Sequence, residues 1–305
     1  MKVFLTGAAG YVGSVLAPML HKAGHEVIVL DRLFIGTDLP DDISVIEADI
    51  FEVQADWLVG IDALVNLAAC SNDKSAERNP DEAWRNNVLG TGHLIQACLQ
   101  AGVRRFVQAS TSSVYGLRPA EILDETAVPR PVGFYSESKY AVEVALNKVR
   151  SARFHPFILR KPTLHGWSPR MRTDMVVHSM LKSALLEGSI SVHNPEVWRP
   201  VLHVRDAAHA YLRALEAPIG FAGVYNVHFA NYRLMDIAVA IQSALQARGR
   251  VTAITVDHRD MPLSYRVNSE KIYRCLQVRP DQNIESGVHE ILDQFSLGFN
   301  WPLPD

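Results

Sequence analysis

The chain has 305 residues, of which 48% are hydrophobic and 21% are charged, a composition typical of a globular protein with a substantial core. A formal net charge of -3 and the lack of a long basic tract argue against a nucleic-acid partner. The three scattered cysteines form no Cys-x-x-Cys pair and no apolar segment suits a signal peptide or a membrane span, so we expect a cytoplasmic protein without disulfides, metal or a membrane partner.

In the first half of the chain, short β-branched segments alternate with longer amphipathic segments. Strands are predicted at Lys2–Thr6, Glu26–Leu30, Ser44–Glu47, Ala63–Leu67, Arg105–Ala109 and Pro156–Leu159. Helices are predicted at Tyr11–Ala23, Asp81–Ala101 and Tyr135–Arg153. Strands separated by helices indicate right-handed crossovers, so we expect an α/β fold with a Rossmann-type, doubly wound parallel sheet.

Beyond Arg160, prolines and glycines interrupt shorter and less regular segments. Further strands are predicted at Val201–His203 and Val224–Val227. We therefore expect a Rossmann domain over residues 1–160, which the next motif identifies as the cofactor-binding domain, followed by a smaller C-terminal α/β substrate lobe over residues 161–305 that is interleaved with the sheet.

A glycine-rich turn follows the first predicted strand, with Gly7, Gly10 and Gly13 opening a helix. Such a turn lets backbone N–H groups approach a pyrophosphate at a helix N-terminus. Asp31 ends the second strand, where a carboxylate binds the adenosine ribose hydroxyls and repels the extra phosphate of NADP. The neighbouring Arg32 is a contrary signal, because a guanidinium can receive that phosphate. The pattern favours NAD, although glycine-rich turns also occur for tight packing alone.

Candidate reacting groups lie on the fifth strand and the third helix. Tyr135 and Lys139 are four residues apart and share a helix face. A nearby ammonium, together with the positive charge of the nicotinamide, is expected to lower the pKa of the phenol, so that Tyr135 can take a proton from a substrate hydroxyl. Thr111 stands in a hydroxyl-rich segment at a strand end, where ligands bind in open α/β sheets. The alternatives are a surface Tyr–Lys pair and a structural serine-rich turn.

Taken together, these motifs resemble the NAD-dependent epimerase/dehydratase family of extended short-chain dehydrogenases/reductases, particularly the relatives of UDP-galactose 4-epimerase. The matching segments are, in chain order, TGAAGYVG at 6–13, Asp31, Asp49-Ile50, NLAA at 66–69, NNVLGT at 86–91, STSSVYG at 110–116, YSESK at 135–139 and RPVLHVRD at 199–206. The resemblance covers nearly the whole chain. It implies NAD as cofactor and Thr111, Tyr135 and Lys139 as catalytic residues.

Motifs and resemblance together predict two sets of contacts. Cofactor contacts are expected from Gly7, Gly10, Tyr11, Val12, Gly13, Asp31, Arg32, Asp49, Ile50, Leu67, Ala68, Ala69, Asn87, Ser110, Tyr135, Lys139 and Pro162. Substrate contacts are expected from Ser71, Asn72, Thr111, Ser112, Tyr135, Thr163, Arg172, Arg199 and Arg259. For the second arginine that meets a diphosphate, Arg259 and Arg266 remain alternatives.

Departures from the family pattern narrow the chemistry. Related sugar dehydratases carry two acidic residues at the positions of Ser112 and Ser113, and related decarboxylases carry a glutamate at the second of these positions. Serine cannot act as a carboxylic acid, so the sequence favours an NAD-dependent nucleotide-sugar epimerase, with C4 as the expected centre. The alternatives are an NAD-dependent dehydrogenase or ketoreductase of a nucleotide sugar, a sugar acid or another small alcohol, and a dinucleotide-sensing protein without catalysis.

The resemblance also implies a homodimer, because relatives of this kind pair two helices per subunit in a four-helix bundle. The helices Asp81–Ala101 and Tyr135–Arg153 are the candidates. Their candidate interface residues are Leu89, Leu94, Ala97, Cys98, Ala141, Val142, Ala145 and Leu146. The same residues are also suited to packing on the sheet.

Overall fold

Parallel strands dominate the computed structural model, which describes residues 1–34, 36–71, 73–258 and 264–298. The strands are β1 (Lys2–Thr6), β2 (Glu26–Asp31), β3 (Ser44–Glu47), β4 (Ala63–Asn66), β5 (Arg105–Thr111), β6 (Arg118–Leu123), β7 (His155–Lys161), β8 (Thr163–His165), β9 (Ser189–His193), β10 (Trp198–His203), β11 (Gly223–Asn226), β12 (Ala230–Arg233), β13 (Ala253–Asp257) and β14 (Tyr265–Val267).

Helices connect most of these strands. They are α1 (Gly13–Lys22), α2 (Asp73–Arg78), α3 (Pro80–Trp84), α4 (Thr91–Ala101), α5 (Phe134–Val149), α6 (Val176–Glu187), α7 (Val204–Glu216), α8 (Leu234–Gln246), α9 (Glu270–Leu276) and α10 (Ile284–Ser296). None of the helices in the described ranges has the length and apolar character needed to cross a membrane.

The central sheet has seven strands in the order β11-β7-β5-β4-β1-β2-β3, and all its neighbours are parallel. The chain winds outward from β1 in one direction and then returns to β4 to continue in the other. This confirms the predicted Rossmann-type doubly wound sheet. The strand order reverses between β1 and β4, and in such sheets a ligand crevice forms at the carboxyl ends of the strands on either side of that point.

Both faces of the sheet are buried because successive side chains of a strand point to opposite sides. Val3 and Leu5 of β1 pack in the core that also contains residues of α1 and α7. Phe4, between them in sequence, packs in the second core with residues of α4 and α5. This double burial explains why the strands consist of nearly uninterrupted apolar residues.

The six strands predicted in the first 160 residues all form, but β2 ends one residue later than predicted, and β5 and β7 each end two residues later. β5 continues to Thr111 and β7 to Lys161, because Ser110 pairs with Arg160 and Thr111 pairs with Lys161. The extension matters for the site, since it fixes Thr111 and Lys161 side by side on neighbouring strands.

The predicted helix Asp81–Ala101 forms, but it contains an irregular turn. Between α3 and α4, residues Arg85–Gly90 form a turn of π-helix, in which Asn87 and Gly90 are buried. A Cβ atom at Gly90 would lie 2.4 Å from Cδ1 of Ile50, so the glycine permits close packing against the segment after β3. Wide helical turns of this kind are common at functional sites, and apolar spacing alone does not reveal them.

Two further helix boundaries were predicted incorrectly. α1 begins at Gly13 rather than Tyr11, because the preceding residues form the glycine-rich turn, and α5 ends at Val149 rather than Arg153.

The predicted dimer residues also need correction. Several of them lie in the core of the subunit, namely Leu94, Ala97, Cys98, Val142 and Leu146, whereas Leu89 is 55% exposed.

The later part of the chain is interleaved with the central sheet. β11 pairs with β7 at the edge of that sheet, and α7 packs on α1. The remaining strands form three small sheets, β12-β10-β8, β13-β9 and β14-β6. The domain boundary at residues 160/161 stays a prediction.

Candidate active site

The glycine-rich turn lies against the end of β4 at the reversal point of the sheet. Gly7 has a φ of +72°, and a Cβ atom there would lie 2.5 Å from the backbone nitrogen of Ala68. A Cβ atom at Gly13 would lie 2.3 Å from Cα of Ala8. Only glycine allows both approaches, and the N-terminus of α1 is thereby held at the mouth of the crevice, where it suits a pyrophosphate.

Asp31 faces this turn from the end of β2. Its carboxylate accepts hydrogen bonds from the backbone nitrogen of Ala9 at 2.9 Å and from that of Leu33 at 3.0 Å. The guanidinium of Arg32 lies 3.4 Å from the carboxylate of Asp49 and 4.3 Å above the ring of Phe34. Arg32 is therefore held beside an acid, and the negative charge of Asp31 remains next to the turn.

Several predicted cofactor residues line the same crevice. Tyr11 is buried and donates its hydroxyl hydrogen to the backbone oxygen of Gly166 at 2.8 Å. Asp49 caps the short turn that begins at Ile50, through a hydrogen bond from the backbone nitrogen of Phe51 at 3.0 Å. Other predicted residues that are partly exposed or open to solvent are Gly10, Val12, Leu67, Ala68, Ala69 and Pro162.

Asn87 connects the segment after β4 to α5. Its side-chain oxygen accepts a hydrogen bond from the backbone nitrogen of Cys70 at 2.8 Å, and its nitrogen donates to the oxygen of Cys70 and to the hydroxyl of Ser138, at 3.1 and 2.8 Å. Asn87 thus fixes the wall of the crevice. Ser71 follows on this segment, and the predicted substrate residue Asn72 lies outside the described residues.

The three predicted catalytic residues come together at the carboxyl ends of the strands. Thr111 ends β5, and its hydroxyl is hydrogen-bonded to the hydroxyl of Ser113 at 2.8 Å and to the phenol of Tyr135. Lys139 lies one turn further along α5, and its ammonium nitrogen is 6.0 Å from the centroid of the Tyr135 ring. Hydroxyl, phenol and ammonium therefore surround one edge of the crevice, as the sequence predicted.

The electrostatics of this group differ from the prediction. Burial raises the pKa of Tyr135 above its ordinary value, while the positive charge of Arg172 and the hydrogen bond with Thr111 lower it in part. Asp73 acts in the opposite direction. Lys139 is not among the groups that shift this pKa, and the expected lowering by the lysine together with the charge of the nicotinamide stays a prediction. Burial lowers the pKa of Lys139 itself to about 8, so this lysine is mostly protonated at neutral pH.

Ser110 directs its hydroxyl away from the crevice. The hydroxyl donates to Glu143 at 2.5 Å, and Glu143 forms a buried ion pair with Arg160, whose nearest nitrogen is 2.6 Å away. Arg160 also donates to the hydroxyl of Tyr115 at 2.9 Å. The side chain of Ser110 therefore belongs to the hydrogen-bonded network with Glu143 and Arg160 that joins α5 to β5 and β7. A contact between the backbone of Ser110 and the cofactor stays a prediction.

On the substrate side, Arg172 reaches into the crevice from the segment before α6. Its guanidinium forms two hydrogen bonds with Asp174, at 2.9 and 2.5 Å, and a third with the hydroxyl of Ser71 at 3.0 Å. Ser112 is buried and donates to the backbone oxygen of Lys161 at 3.2 Å. Thr163, the first residue of β8, is partly exposed next to this strand end.

The arginines predicted to meet a diphosphate have these surroundings. Arg199 of β10 donates to the backbone oxygen of Trp198 at 3.0 Å, and Asp73 and Tyr265 are close enough to influence its charge. The guanidinium of Arg266 lies 5.1 Å from the ring centroid of Trp198. Arg259 lies outside the described residues.

Sequence reasoning missed two side chains of the site. Tyr265 influences the charges of Tyr135 and Arg199 from a segment without a motif. Lys161, the last residue of β7, lies near Lys139 and Arg172. The usable signal for Lys161 was its place at the end of a parallel strand, where ligands bind. In the described ranges, no group of three or more His, Cys, Asp or Glu side chains is suited to hold a metal ion.

Comparison with known proteins gives consistent matches. The model of the NAD dependent epimerase/dehydratase family matches residues 3–227. A UDP-glucose 4-epimerase of Halalkalibacterium halodurans is 28% identical over 92% of this chain and 91% of its own length. The UDP-glucose 4-epimerase of Thermus thermophilus, solved with NAD, is 26% identical and covers 97% of this chain and 99% of its own, with a TM-score of 0.84. The protein MoeE5, solved with UDP-glucuronic acid and NAD, is 26% identical and covers 98% of this chain and all (100%) of its own, with a TM-score of 0.85.

Proposed function

The chain belongs to the NAD-dependent epimerase/dehydratase family, and from that premise we propose that it interconverts two epimers of a nucleotide sugar at C4 through a transient keto intermediate. The observation that carries the proposal is the convergence of Thr111, Tyr135 and Lys139 on one edge of the crevice, with serine rather than an acid at positions 112 and 113. The protein is an enzyme of the extended short-chain dehydrogenase type with NAD as its cofactor.

The residues around the crevice fit NAD. The close approach of Gly7 to Ala68 and the N-terminus of α1 provide a cradle for the pyrophosphate that any larger side chain would fill. The Asp31 carboxylate is placed for ribose hydroxyls, and the ammonium of Lys139 is placed for the second ribose. When bound, NAD supplies the acceptor that takes a hydride from the sugar and later returns it to the other face.

Tyr135 and Thr111 handle the proton of the reacting hydroxyl. Tyr135 takes this proton as the carbon–oxygen bond of the sugar becomes a carbonyl, and it gives the proton back when the hydroxyl re-forms. The hydrogen bond between Thr111 and Tyr135 holds the two oxygens in one place, and the positive charge of Arg172 favours the phenolate.

The absence of acidic side chains at Ser112 and Ser113 favours epimerisation over elimination. Loss of water from a keto sugar needs an acid next to the leaving hydroxyl. Instead, the hydroxyl of Ser112 is engaged by the backbone oxygen of Lys161, and that of Ser113 by Thr111. Both serines are suited to bind sugar oxygens, and neither is suited to protonate a leaving group.

The substrate that we propose is a UDP-linked sugar. The guanidinium of Arg172 lies close enough to Tyr135 to lower its pKa, but its two-pronged face is already paired with the carboxylate of Asp174. Arg172 therefore gives no preference for a negatively charged sugar, and the similar protein MoeE5 was solved with UDP-glucuronic acid and also with UDP-glucose. Arg199 is the arginine that we propose to meet the diphosphate.

A homodimer is part of the proposal. Besides Leu89, α3 and α4 expose Trp84 and Leu99, and α5 exposes Phe134 at its start. Exposed apolar side chains on two neighbouring helices are typical of a helical interface between identical subunits. These residues replace the buried ones that the sequence had indicated.

The first experiment is to denature the purified protein and identify the released small molecules by mass spectrometry. We expect near-stoichiometric NAD. The protein is then incubated with UDP-glucuronic acid or UDP-glucose, and the products are separated by chromatography while absorbance reports any NADH. Formation of the C4 epimer without net NADH supports the proposal. Accumulation of NADH with a consumed sugar would instead identify a dehydrogenase.

A further inference from the structure

Lys161 is a second lysine at the reaction centre. It ends β7 and pairs with Thr111 of β5, so it stands directly beside the hydroxyl that contacts Tyr135. Its ammonium group donates a hydrogen bond to the hydroxyl of Tyr211 in α7, at 2.7 Å. The residue is half-buried, and its backbone oxygen also receives the hydroxyl of Ser112. Contacts of both the side chain and the backbone therefore fix the position of Lys161.

The charges around Lys161 are positive. Lys139 of α5 and Arg172 of the segment before α6 both act on it, whereas α7 contributes the neutral Tyr211. In the parts of the chain that the structure describes, its ammonium group forms no ion pair with a carboxylate. Burial and these two cations lower the pKa of Lys161 to about 7. An amine kept in such surroundings responds strongly to any charge that a ligand brings.

We propose that Lys161 controls the balance between oxidised and reduced NAD in this enzyme by placing a positive charge beside the nicotinamide. The ring of NAD⁺ is positively charged and that of NADH is neutral, so a nearby ammonium destabilises the oxidised form only. The charge thereby stabilises NADH relative to NAD⁺ during the time in which the keto sugar rotates in the pocket. The inference rests on the cofactor part of the proposed function and is independent of which carbon is epimerised.

The nicotinamide must lie near Lys161 for a geometric reason. A hydride acceptor has to be in contact with the carbon whose hydroxyl Tyr135 deprotonates. That carbon lies beside Thr111, because the hydroxyl of Thr111 is hydrogen-bonded to Tyr135. Lys161 is the neighbour of Thr111 across the sheet, so its charge acts on the same space.

The test compares the affinities for NAD⁺ and NADH by calorimetry, without any sugar, at about pH 6, where an amine of this pKa is protonated. The full-length protein, freed of nucleotide, is compared with Lys161→Met, with the charge-retaining Lys161→Arg and with Lys148→Met on the exposed surface of α5. We expect Lys161→Met to raise the affinity for NAD⁺ relative to NADH by about fivefold. Lys161→Arg and Lys148→Met should keep the wild-type ratio.

If Lys161→Met does not fold, Lys161→Gln takes its place in the same comparison, because it also removes the charge. The inference is overturned if a folded variant without this charge keeps the ratio of the NAD⁺ and NADH affinities within about twofold of wild type. Removal of one unit charge beside the nicotinamide should change this ratio by more than about twofold. Equal changes in both affinities would show a purely structural role and would overturn it as well. A wild-type protein that binds neither form would overturn the cofactor assignment itself.

Discussion

The ammonium nitrogen of Lys139 donates a hydrogen bond to the backbone oxygen of Ala109, 3.2 Å away. Through this bond, α5 presents its lysine to the end of β5, where Thr111 begins the turn of hydroxyl residues. The lysine is thus held by the strand and not by the phenol of Tyr135, whose ring centroid is 6.0 Å from the ammonium nitrogen. We propose that its charge meets a ribose hydroxyl of the cofactor.

Replacing Tyr135 with Phe removes the only phenol that is hydrogen-bonded to Thr111 in the described structure. We expect turnover to fall by about a hundredfold to ten-thousandfold, the usual contribution of a general acid–base residue. NAD should still be bound, because the phenol is not part of the glycine-rich turn. Epimerisation is followed by chromatography, and retained NAD by mass spectrometry. Tyr140→Phe on the same helix is the control, and a Tyr135→Phe variant with near-normal turnover would exclude the mechanism.

The buried ion pair between Glu143 and Arg160 predicts a large effect on stability. Glu143→Gln leaves the Arg160 guanidinium in the core without a negative partner, and it weakens the hydrogen bond from Ser110. Removing one member of a buried pair costs about 3–5 kcal/mol. Urea unfolding measures the loss, with Glu137→Gln on the exposed face of α5 as control. A loss below about 1 kcal/mol, the range of a surface pair, would contradict this account.

The sequence predicted those parts of the fold that are determined by residues close together in the chain. The strands of the central sheet were found because double burial produces continuous apolar segments such as Val3–Leu5, and because each is bounded by turn residues. Gly7 and Asp31 were found because the turn needs a glycine and the strand end needs an acid, and both requirements are local. The candidate catalytic residues Thr111, Tyr135 and Lys139 were likewise predicted from motifs on such local elements.

What the sequence missed depends on contacts between distant segments. The π-helical turn at Arg85–Gly90 forms where Gly90 meets Ile50, forty residues earlier in the chain. The raised pKa of Tyr135 results from burial and from the charge of Asp73, which together outweigh the lowering by Arg172, and no sequence spacing places these two groups next to Tyr135. The same holds for the hydroxyl of Ser110, whose direction is decided by Glu143 on another element.

Asp31→Ala tests the basis for preferring NAD. The substitution removes the carboxylate that receives the backbone N–H groups of Ala9 and Leu33 and that is placed for the adenosine ribose. A hydrogen bond to a charged group contributes about 1.5–3 kcal/mol, so we expect the affinity for NAD to fall by about tenfold or more. The affinity for NADP should change less or rise, since a repulsive charge is lost. Calorimetry with both cofactors measures the two affinities, and Glu47→Ala, at an exposed position, serves as the control. An unchanged affinity for NAD would contradict the role assigned to Asp31.

Glu290 of α10 predicts how stability depends on pH. Burial raises its pKa, but hydrogen bonds from His203 at 3.0 Å and from the backbone nitrogen of Trp167 at 3.1 Å, together with the charge of Arg205, lower it by more. A carboxyl group whose folded pKa is below its unfolded value of about 4.3 stabilises the fold above that pH. This contribution is lost as the pH falls through the folded pKa, so the melting temperature of the wild type should drop in that window. Glu290→Gln has no carboxyl to titrate, and we expect its melting temperature to be lower near neutral pH and to fall less steeply in acid. Parallel curves for the two proteins would show that Glu290 does not connect α10 to the His203 region in this way.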